Sequence, residues 1–217
     1  MEFAEGALRP PNNLWSRIYR RIRDEFFPPV HPFDQTTGVD TSGRLDLRRL
    51  AIGSPNRKHG RDYQGVEPGR FSDALSEIRA DLSGYTFIDL GAGKGRALFL
   101  AAPWNFQRII GIEFAPKLAT IAKANIRKLN LKNTEVMVHD AGDFRFPGGP
   151  LLVFMNNPFG PEILKRVLDN LRCHSGSLFL IYVHALHDET IHEHGSLCPL
   201  VRGKFHSVWY RGATPRK

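Results

Sequence analysis

Long apolar runs and cysteines are scarce in this sequence of 217 residues. It contains no stretch of about 18 apolar residues, so it predicts no transmembrane helix. The N-terminus carries Glu2 and Glu5 and lacks an apolar core, which is not typical of a secretory signal. The two cysteines, Cys173 and Cys198, form no C-x-x-C pattern. These absences predict a cytoplasmic protein with reduced cysteines.

Metal-binding patterns are missing as well. Four histidines near the C-terminal end have no acid or cysteine that completes a ligand set, and they lack the H-E-x-x-H helical spacing. These are His184, His187, His192 and His194. We therefore expect no metal site, and the sequence shows no internal repeat or low-complexity tract.

Acidic residues are outnumbered, which gives a formal net charge of +8. Residues 202–217 carry five basic and no acidic side chains, and Arg44 to Arg61 carries six basic residues against Asp46 alone. Such patches either bind phosphates or anionic lipid, or form a solvated basic surface. We favour the solvated surface, because no aromatic residues are interleaved with the charges and no nucleic-acid motif is present. Nucleic acid is therefore the less favoured partner.

The first 66 residues contain a candidate helix and an irregular segment. Residues 13–27 place apolar side chains every four residues with arginines between them, and Pro28 and Pro29 end this helix. A helix packed on the domain is favoured over a membrane-surface or partner-binding helix. Residues 31–66 are rich in turn formers and are interpreted as a lid, with a short helix expected at 45–52. The predicted division is an N-terminal helix and lid segment, 1–66, followed by a ligand-binding domain, 67–217.

The strongest pattern in the chain runs from Thr86 to Ala102. A short apolar strand is followed by the turn Gly-Ala-Gly-Lys-Gly at residues 91–95 and then by a helix. The glycines permit backbone angles that side chains forbid, and they let a ligand approach the main chain. The helix start offers free N–H groups. In an open α/β sheet, such a strand–turn–helix unit is a ligand site.

Two common ligands do not fit this turn. The dinucleotide fingerprint G-x-G-x-x-G needs a glycine where Arg96 stands, and the P-loop fails at Ile88 and Gly95. The remaining pattern, D-x-G-x-G-x-G, resembles the first motif of class I S-adenosylmethionine-dependent methyltransferases. This resemblance implies that the turn binds the methionine end of the cofactor. The residues concerned are Asp89, Gly91, Ala92, Gly93 and Gly95.

An acid ends the next predicted strand, Arg108 to Glu113. Glu113 lies 18 residues after Gly95, near the distance at which an acid binds ribose hydroxyls. A carboxylate accepts two hydrogen bonds and so suits a vicinal diol. A capping acid for the following helix is the alternative.

The third strand, Thr134 to His139, is followed by a second candidate contact. Asp140 is placed at the strand end, where it could accept a hydrogen bond from the adenine amino group, next to Ala141. Asp143 is the rival for this role. Phe114 is expected to pack against the adenine ring.

The fourth strand, Leu151 to Met155, ends in Asn-Asn-Pro-Phe. This sequence resembles the (D/N)-P-P-(Y/F) motif of methyltransferases that act on nitrogen. The resemblance implies that Asn156 accepts a hydrogen bond from the target NH and that Phe159 packs on it. Asn157 departs from the motif, which has proline there, and an ordinary strand-to-helix turn is the alternative.

The order strand–helix–strand–helix–strand–strand–helix–strand–hairpin predicts an α/β fold. Residues 71–211 resemble the class I methyltransferases. This implies a Rossmann-like, seven-stranded, mostly parallel sheet with helices on both faces and an antiparallel edge hairpin. In one bacterial group the resemblance extends upstream to Phe33 to Leu50 and includes GAGKGR-, GIEFAP- and NPFG-type motifs. Tyr63 matches a Tyr-containing loop of the Dot1-like lysine methyltransferases and is the lid residue predicted to act at the site.

These resemblances imply an enzyme that uses S-adenosyl-L-methionine and transfers its methyl group to an acceptor. Nitrogen is the favoured acceptor atom, and a protein side chain or a small molecule is the favoured acceptor. A non-catalytic module that binds S-adenosylmethionine for regulation is the alternative. An NAD-linked oxidoreductase is disfavoured by Arg96. The sequence does not identify the acceptor.

Overall fold

The computed structural model describes residues 29–212 together with Leu14 and Arg17, both of which are helical. The other residues of the helix predicted at 13–27 lie outside the described part of the chain. No helix of the described residues is long and apolar enough to cross a bilayer. Within the same residues, no group of three or more His, Cys, Asp or Glu side chains is arranged to hold a metal ion.

Seven strands form one sheet. They are β3 Thr86–Leu90, β4 Arg108–Glu113, β5 Thr134–Val138, β6 Leu151–Asn156, β7 Leu178–Val183, β8 Cys198–Arg202 and β9 His206–Arg211. Their order in the sheet is β5-β4-β3-β6-β7-β9-β8, and all neighbouring pairs are parallel except β7–β9 and β8–β9, so β9 is antiparallel to the others. The predicted seven-stranded, mostly parallel sheet with an antiparallel edge hairpin is confirmed.

Among residues 29–212, six helices accompany the strands. They are α1 Pro32–Thr37, α2 Pro68–Ser76, α3 Arg96–Ala101, α4 Pro116–Lys128, α5 Pro161–Arg172 and α6 Asp188–His194. Helix α2 ends at Ser76, and Ile78 and Leu82 in the segment that follows it are also buried. Helix α6 was not predicted, because it is short and polar and buries only Ile191.

The sheet has an apolar layer on each face. Successive side chains of a strand point to opposite faces, so Phe87 joins one buried cluster and Ile88 the other. The rings of Phe71, Phe87 and Phe154 pack on the first face, with centroids 5.2 to 6.0 Å apart. Because β3 and β6 are covered on both faces, most of their residues are apolar, and the polar Asp89 and Asn156 lie at or near their carboxyl ends.

The chain order reverses between β3 and β6. From β3 the sheet continues to β4 and β5 on one side, and to β6 and β7 on the other. The loops that leave β3 and β6 therefore diverge and open a crevice at the carboxyl edge of the sheet. Ligands bind at this switch point in open α/β sheets.

The segment before α2 lies over this crevice. It contains a two-stranded ladder, β1 Arg44–Leu45 with β2 Tyr63–Gln64, and 3₁₀ turns at Leu47–Arg49 and Pro55–His59. Its apolar residues Leu47, Leu50 and Tyr63 pack against Ala115 and Leu118 at the start of α4. Of the lid predicted at residues 31–66, the part from 44 to 66 is called the lid from here on. The domain boundary after residue 66 stays a prediction.

Candidate functional site

The glycine turn after β3 has the backbone that its sequence requires. Gly91, Gly93 and Gly95 have φ values of +81°, +55° and +94°, which L-residues with a side chain rarely adopt. A Cβ at Gly91 would collide with Pro158, and a Cβ at Gly93 would collide with the Tyr63 ring. The first two glycines thus allow the loop after β6 and the lid to approach the turn.

Glu113, at the end of β4, is hydrogen-bonded to this turn. Its carboxylate accepts the Gly93 N–H at 2.7 Å and the Ala115 N–H at 2.8 Å. The residue is only 3% exposed. The same carboxylate therefore holds the glycine turn and caps the backbone before α4, and its role in binding ribose stays a prediction.

Asp89 and Glu113 form a pair of buried acids. Burial, together with the charge of Glu113, raises the pKa of Asp89 to about 8. Burial raises the pKa of Glu113 to about 7, against the opposing effect of its backbone hydrogen bonds. Two adjacent carboxyl groups that resist ionisation favour a ligand with hydroxyl donors or a positive charge.

We expect the ligand-free protein to lose stability as the pH rises from 6 to 8. Both carboxyl groups have raised pKa values, so the folded state binds more protons than the unfolded state in this range, and alkali favours unfolding. The free energy of unfolding should fall by about 2–4 kcal/mol, measured by urea titration at each pH. Asp89→Asn should reduce this slope, whereas Asp143→Asn, at an exposed acid, should leave it unchanged. A stability that rises with pH would contradict the proposed protonation.

Three adjoining cavities follow the carboxyl edge of the sheet, and Gly91 lines all of them. We name them after their acids. The Asp140 cavity is lined by Ile112, Phe114, Asp140, Ala141, Pro158, Phe159 and Ile163, with Asn56 and Gly60 of the lid. The Glu113 cavity is lined by Gly93, Glu113, Asn156 and Asn157, with lid residues Arg61 to Gln64. The Asp89 cavity is lined by Asp89, Ala92, Arg96 and Asn156, with Tyr63 to Val66.

The free space in these cavities is small. It amounts to about 60 Å³ in the Glu113 cavity, 30 Å³ in the Asp140 cavity and 20 Å³ in the Asp89 cavity. Ligand pockets usually enclose about 300–1,000 Å³. The lid therefore closes the crevice in this structure, and a nucleoside ligand needs the lid to move.

Asp140 lies at the apolar end of the crevice. Its carboxylate accepts hydrogen bonds from the Gly142 N–H at 2.9 Å, from the Asn56 amide at 3.0 Å and from the Ser54 hydroxyl. Asp143 instead pairs with Arg166 on the surface, away from the crevice. Of the two acids considered for the adenine contact, Asp140 is the one beside Phe114 and the glycine turn.

Asn156 stands where β6 ends, between the Glu113 and Asp89 cavities. Its Oδ1 atom lies 2.9 Å from His184 Nδ1, and its amide nitrogen donates to the Gln64 carbonyl at 3.2 Å. Since Oδ1 can only accept, His184 Nδ1 carries the hydrogen. Burial, and then the charge of Arg70, lowers the pKa of His184, which favours the neutral imidazole.

The residues after Asn156 and after β7 have unusual backbones. Asn157 and His184, which follow paired strand ends, have φ values of +47° and +50°. Each non-glycine residue in this region costs about 1–3 kcal/mol. The Tyr182 hydroxyl donates to Asn157 Oδ1 at 2.9 Å and helps to hold this conformation. His184 is a site residue that the sequence reasoning missed, because only the pairing of β6 with β7 brings it to Asn156.

Three of the predicted site residues lie apart from Asn156 or have an engaged polar group. Phe159 lines the Asp140 cavity and neither of the cavities that Asn156 lines. The Tyr63 hydroxyl donates to the Thr41 carbonyl at 2.7 Å, and burial raises the pKa of the phenol. Gly95 begins α3 and would collide with Phe99 if it carried a Cβ, and it lines none of the three cavities.

Lys94 and Arg96 anchor the segment that precedes the lid. The Arg96 guanidinium, 4% exposed, donates to the Thr41 hydroxyl and carbonyl at 2.8 Å each. Lys94 Nζ reaches Asp40 at 2.7 Å, and Asn125 donates to the Asp40 carbonyl at 2.8 Å. The lysine and arginine of the GKGR sequence therefore bind protein. In the sequence, Arg96 only excludes a dinucleotide, because its partner Thr41 is 55 residues away and no local pattern indicates the contact.

The lid is also tied to the loop after β6. The Arg61 N–H donates to the Pro158 carbonyl at 3.0 Å, and the Gly160 N–H donates to the His59 carbonyl at 2.8 Å. These bonds hold residues 59–61 against the loop that carries Asn157 and Phe159. A change in this loop is thus transmitted directly to the lid.

A family model described as a methyltransferase domain matches residues 81–159. That range begins just before β3 and ends at Phe159, so it contains the glycine turn, Glu113, Asp140 and Asn156. No curated protein gives a significant match to the sequence.

Solved structures of methyltransferases share the fold. A SAM-dependent O-methyltransferase from Thermotoga maritima is 15% identical, with a TM-score of 0.53 over 71% of this chain and 69% of that one. A SAM-dependent methyltransferase from Aquifex aeolicus is 17% identical, with a TM-score of 0.50 over 67% of this chain and 97% of that one. A 16S rRNA methyltransferase from T. thermophilus is 18% identical, with a TM-score of 0.51 over 67% and 43%.

Coverage of the matched proteins varies. The chain covers 56% of a Bacillus protein and 51% of a Clostridium acetobutylicum methyltransferase, so it spans about half the length of these relatives. The acids Glu113, Asp89 and Asp140, the apolar wall at Phe114 and the side-chain-free turn suit a nucleoside with a cationic amino-acid tail. The chain therefore has the fold of solved SAM-dependent methyltransferases, and residues 81–159 match the model of a methyltransferase domain.

Proposed function

We propose that this protein transfers the methyl group of S-adenosylmethionine to a nitrogen atom of a small molecule or a protein side chain. The observation that carries the proposal is the position of Asn156. It lies at the end of β6, in the two cavities that also contain Glu113 and Asp89. We also propose the cytoplasm as its compartment, which agrees with Cys173 and Cys198 both being free.

The proposed cofactor contacts divide along the crevice. Glu113 would bind the ribose hydroxyls, and Asp140 with Ala141 and Phe114 would hold the adenine. The glycine turn, with Asp89 below it, would receive the amino-acid end. The sulfonium cofactor supplies an electrophilic methyl group, so a neutral acceptor nitrogen requires no strong general base.

Asn156 is proposed to orient the acceptor. An amide oxygen has two lone pairs, and His184 uses one of them, so the other can accept an N–H from the acceptor. The hydrogen bond from Asn156 to the Gln64 carbonyl fixes the other end of the amide. His184 acts here as a positioning residue, because it sets the direction of the Asn156 side chain.

The lid is proposed to exclude water and to complete the site. Tyr63 covers Gly93 with its ring, and its hydroxyl is engaged by Thr41, so its contribution is packing. Movement of residues 44–66 would admit the cofactor, and closure would bring Gln64 and Arg61 beside Asn156. Closure of this kind is a common way to align reactants and exclude water.

Asn157 favours the alternative, a non-catalytic module that binds S-adenosylmethionine. Its φ of +47° is inaccessible to proline, whose ring fixes φ near −65°. The backbone after Asn156 therefore differs from that of a (D/N)-P-P-(Y/F) peptide. If this difference turns the loop away from an acceptor, the protein would bind the cofactor without transferring the methyl group.

Two measurements test the proposed function. Calorimetric titration should give saturable binding of S-adenosylmethionine and none of NAD. Incubation with radiolabelled S-adenosylmethionine and fractionated cell extract should label a product. Binding without labelling in any fraction would favour the regulatory module, and binding of NAD instead would overturn the cofactor.

Asn156→Ala is expected to lower kcat about 100-fold or more, because a hydrogen bond that positions the acceptor is worth several kcal/mol at the transition state. Cofactor affinity should stay within about twofold of the wild-type value. The rate of label transfer and the calorimetric dissociation constant are the two readouts. Asn156→Asp retains an acceptor oxygen and should keep more activity than the alanine variant. Equal activity in Asn156→Ala and wild type would remove Asn156 from the mechanism.

A further inference from the structure

We infer that the methyl acceptor carries an anionic group, a carboxylate or a phosphate, which Arg61 and Arg70 bind near Asn156. This inference rests on the proposed function and names the acceptor class for the same site. The acceptor we favour is a small acidic molecule whose negative group lies close to the nitrogen that is methylated.

The two arginines lie near Asn156 through different contacts. Arg61 lines the Glu113 cavity together with Asn156, and its Nη2 atom lies 3.1 Å from His187 Nε2. Arg70 lies near His184, whose pKa is lowered by burial and then by the charge of Arg70, and its guanidinium carbon is 4.3 Å from the centre of the Phe205 ring. The Phe205 carbonyl accepts the His184 N–H at 2.9 Å, and the His184 ring contacts Asn156. Arg70 is therefore joined to Asn156 through Phe205 and His184.

Neither arginine has a carboxylate partner among residues 29–212, where no carboxylate lies within ion-pair distance of Arg61 or Arg70. Four acids of this part of the chain are instead paired with other groups, as Glu67–His31, Asp62–Arg44, Glu162–His59 and Asp188–Arg202. Arg61 and Arg70 are thus two cations near Asn156 whose charge a ligand could balance.

Each arginine also has unused hydrogen-bonding capacity. Arg70 Nη1 is buried and has no hydrogen-bond partner among the described residues. Arg61 contacts a ring nitrogen of His187, whose pKa is lowered by burial and by Arg61 itself. A buried donor without a partner is uncommon in folded proteins, and an oxygen of a bound anion would satisfy it.

The distribution of charge favours a single anionic group over a polyanion. Three other lid cations are engaged within the lid: Arg44 pairs with Asp62, Arg48 pairs with Asp46, and Arg57 donates to two backbone carbonyls. A nucleic acid would instead need a continuous row of unpaired cations along its phosphates. Two arginines near Asn156 that have no carboxylate partner among the described residues match one carboxylate or phosphate.

The test compares the wild type with Arg61→Gln and Arg70→Gln, and with Arg145→Gln as a control at an exposed arginine away from the crevice. Each protein, loaded with radiolabelled S-adenosylmethionine, is incubated with the protein-free ultrafiltrate of a cell extract, and the products are separated by anion exchange. We expect a labelled product that the column retains. Its rate of formation should fall at least tenfold in both site variants and less than twofold in the control, with cofactor affinity unchanged.

Treatment of the ultrafiltrate with alkaline phosphatase separates the two sources of charge, since loss of labelling identifies a phosphate and persistence identifies a carboxylate. A labelled product that is not retained, or equal rates in the site variants and the wild type, would overturn the inference and leave the proposed function intact. Labelling confined to the protein or RNA fraction would also overturn it. No label in any fraction, with the cofactor bound, would overturn both proposals.

Discussion

Replacement of Glu113 by alanine is expected to weaken S-adenosylmethionine binding about 100-fold, which corresponds to a loss of about 3 kcal/mol. The Glu113 carboxylate would bind the ribose diol, and it already holds the Gly93 and Ala115 N–H groups at 2.7 and 2.8 Å. Its removal deletes the ligand contact and leaves two buried donors without a partner, so the turn that receives the cofactor also loses support. Calorimetric titration with S-adenosylmethionine measures the change.

A matched control is available on the neighbouring strand. Glu135 pairs with Arg108, and its side chain is 51% exposed, so Glu135→Ala should leave cofactor affinity unchanged. Glu113→Gln separates charge from shape, because an amide retains one acceptor but places an NH₂ group opposite a backbone N–H donor. We expect this variant to bind the cofactor weakly as well. A folded Glu113→Ala protein with normal affinity would show that the cofactor does not use this carboxylate.

Gly93→Ala is expected to have the second large effect, with a loss of about 2–4 kcal/mol in the free energy of unfolding and at least a tenfold loss of cofactor affinity. The residue has a φ of +55°, and a Cβ would collide with the buried Tyr63 ring. The ring is rigid, so either the lid or the glycine turn must shift. Urea unfolding and calorimetric titration give the two quantities.

Gly84→Ala is the matched control, because no atom lies within 4 Å of its Cβ position and its φ is not positive. The double variant Tyr63→Ala/Gly93→Ala removes the collision but leaves the backbone strain. Its loss in the free energy of unfolding should therefore be smaller than the sum of the losses in the two single variants. If Gly93→Ala behaved like Gly84→Ala, the close approach of the lid to the turn would be refuted.

Much of the fold was determined by the sequence. The buried runs at β3, β6 and β7 are mainly apolar, with Thr86, Asp89 and Asn156 as exceptions, and β6 extends one residue beyond its predicted end at Met155. The glycine turn followed β3 directly, and Glu113 ended the next strand. Because parallel strands place their carboxyl ends on one edge, the meeting of Glu113 with Gly93 and the position of Asn156 in the same crevice could be expected from chain order alone.

Tertiary structure decided what covers that edge. Arg96 and Asn125 reach residues 40 and 41 across 55 to 85 positions of sequence, Ser54 and Asn56 reach Asp140, and His184 reaches Asn156. Phe159 lines the Asp140 cavity, although the motif it belongs to predicts a position beside the acceptor held by Asn156. Local spacing fixes strands and turns because neighbouring residues share one backbone geometry. Contacts between an irregular lid and a strand end have no period, and they form only when the complete chain has packed.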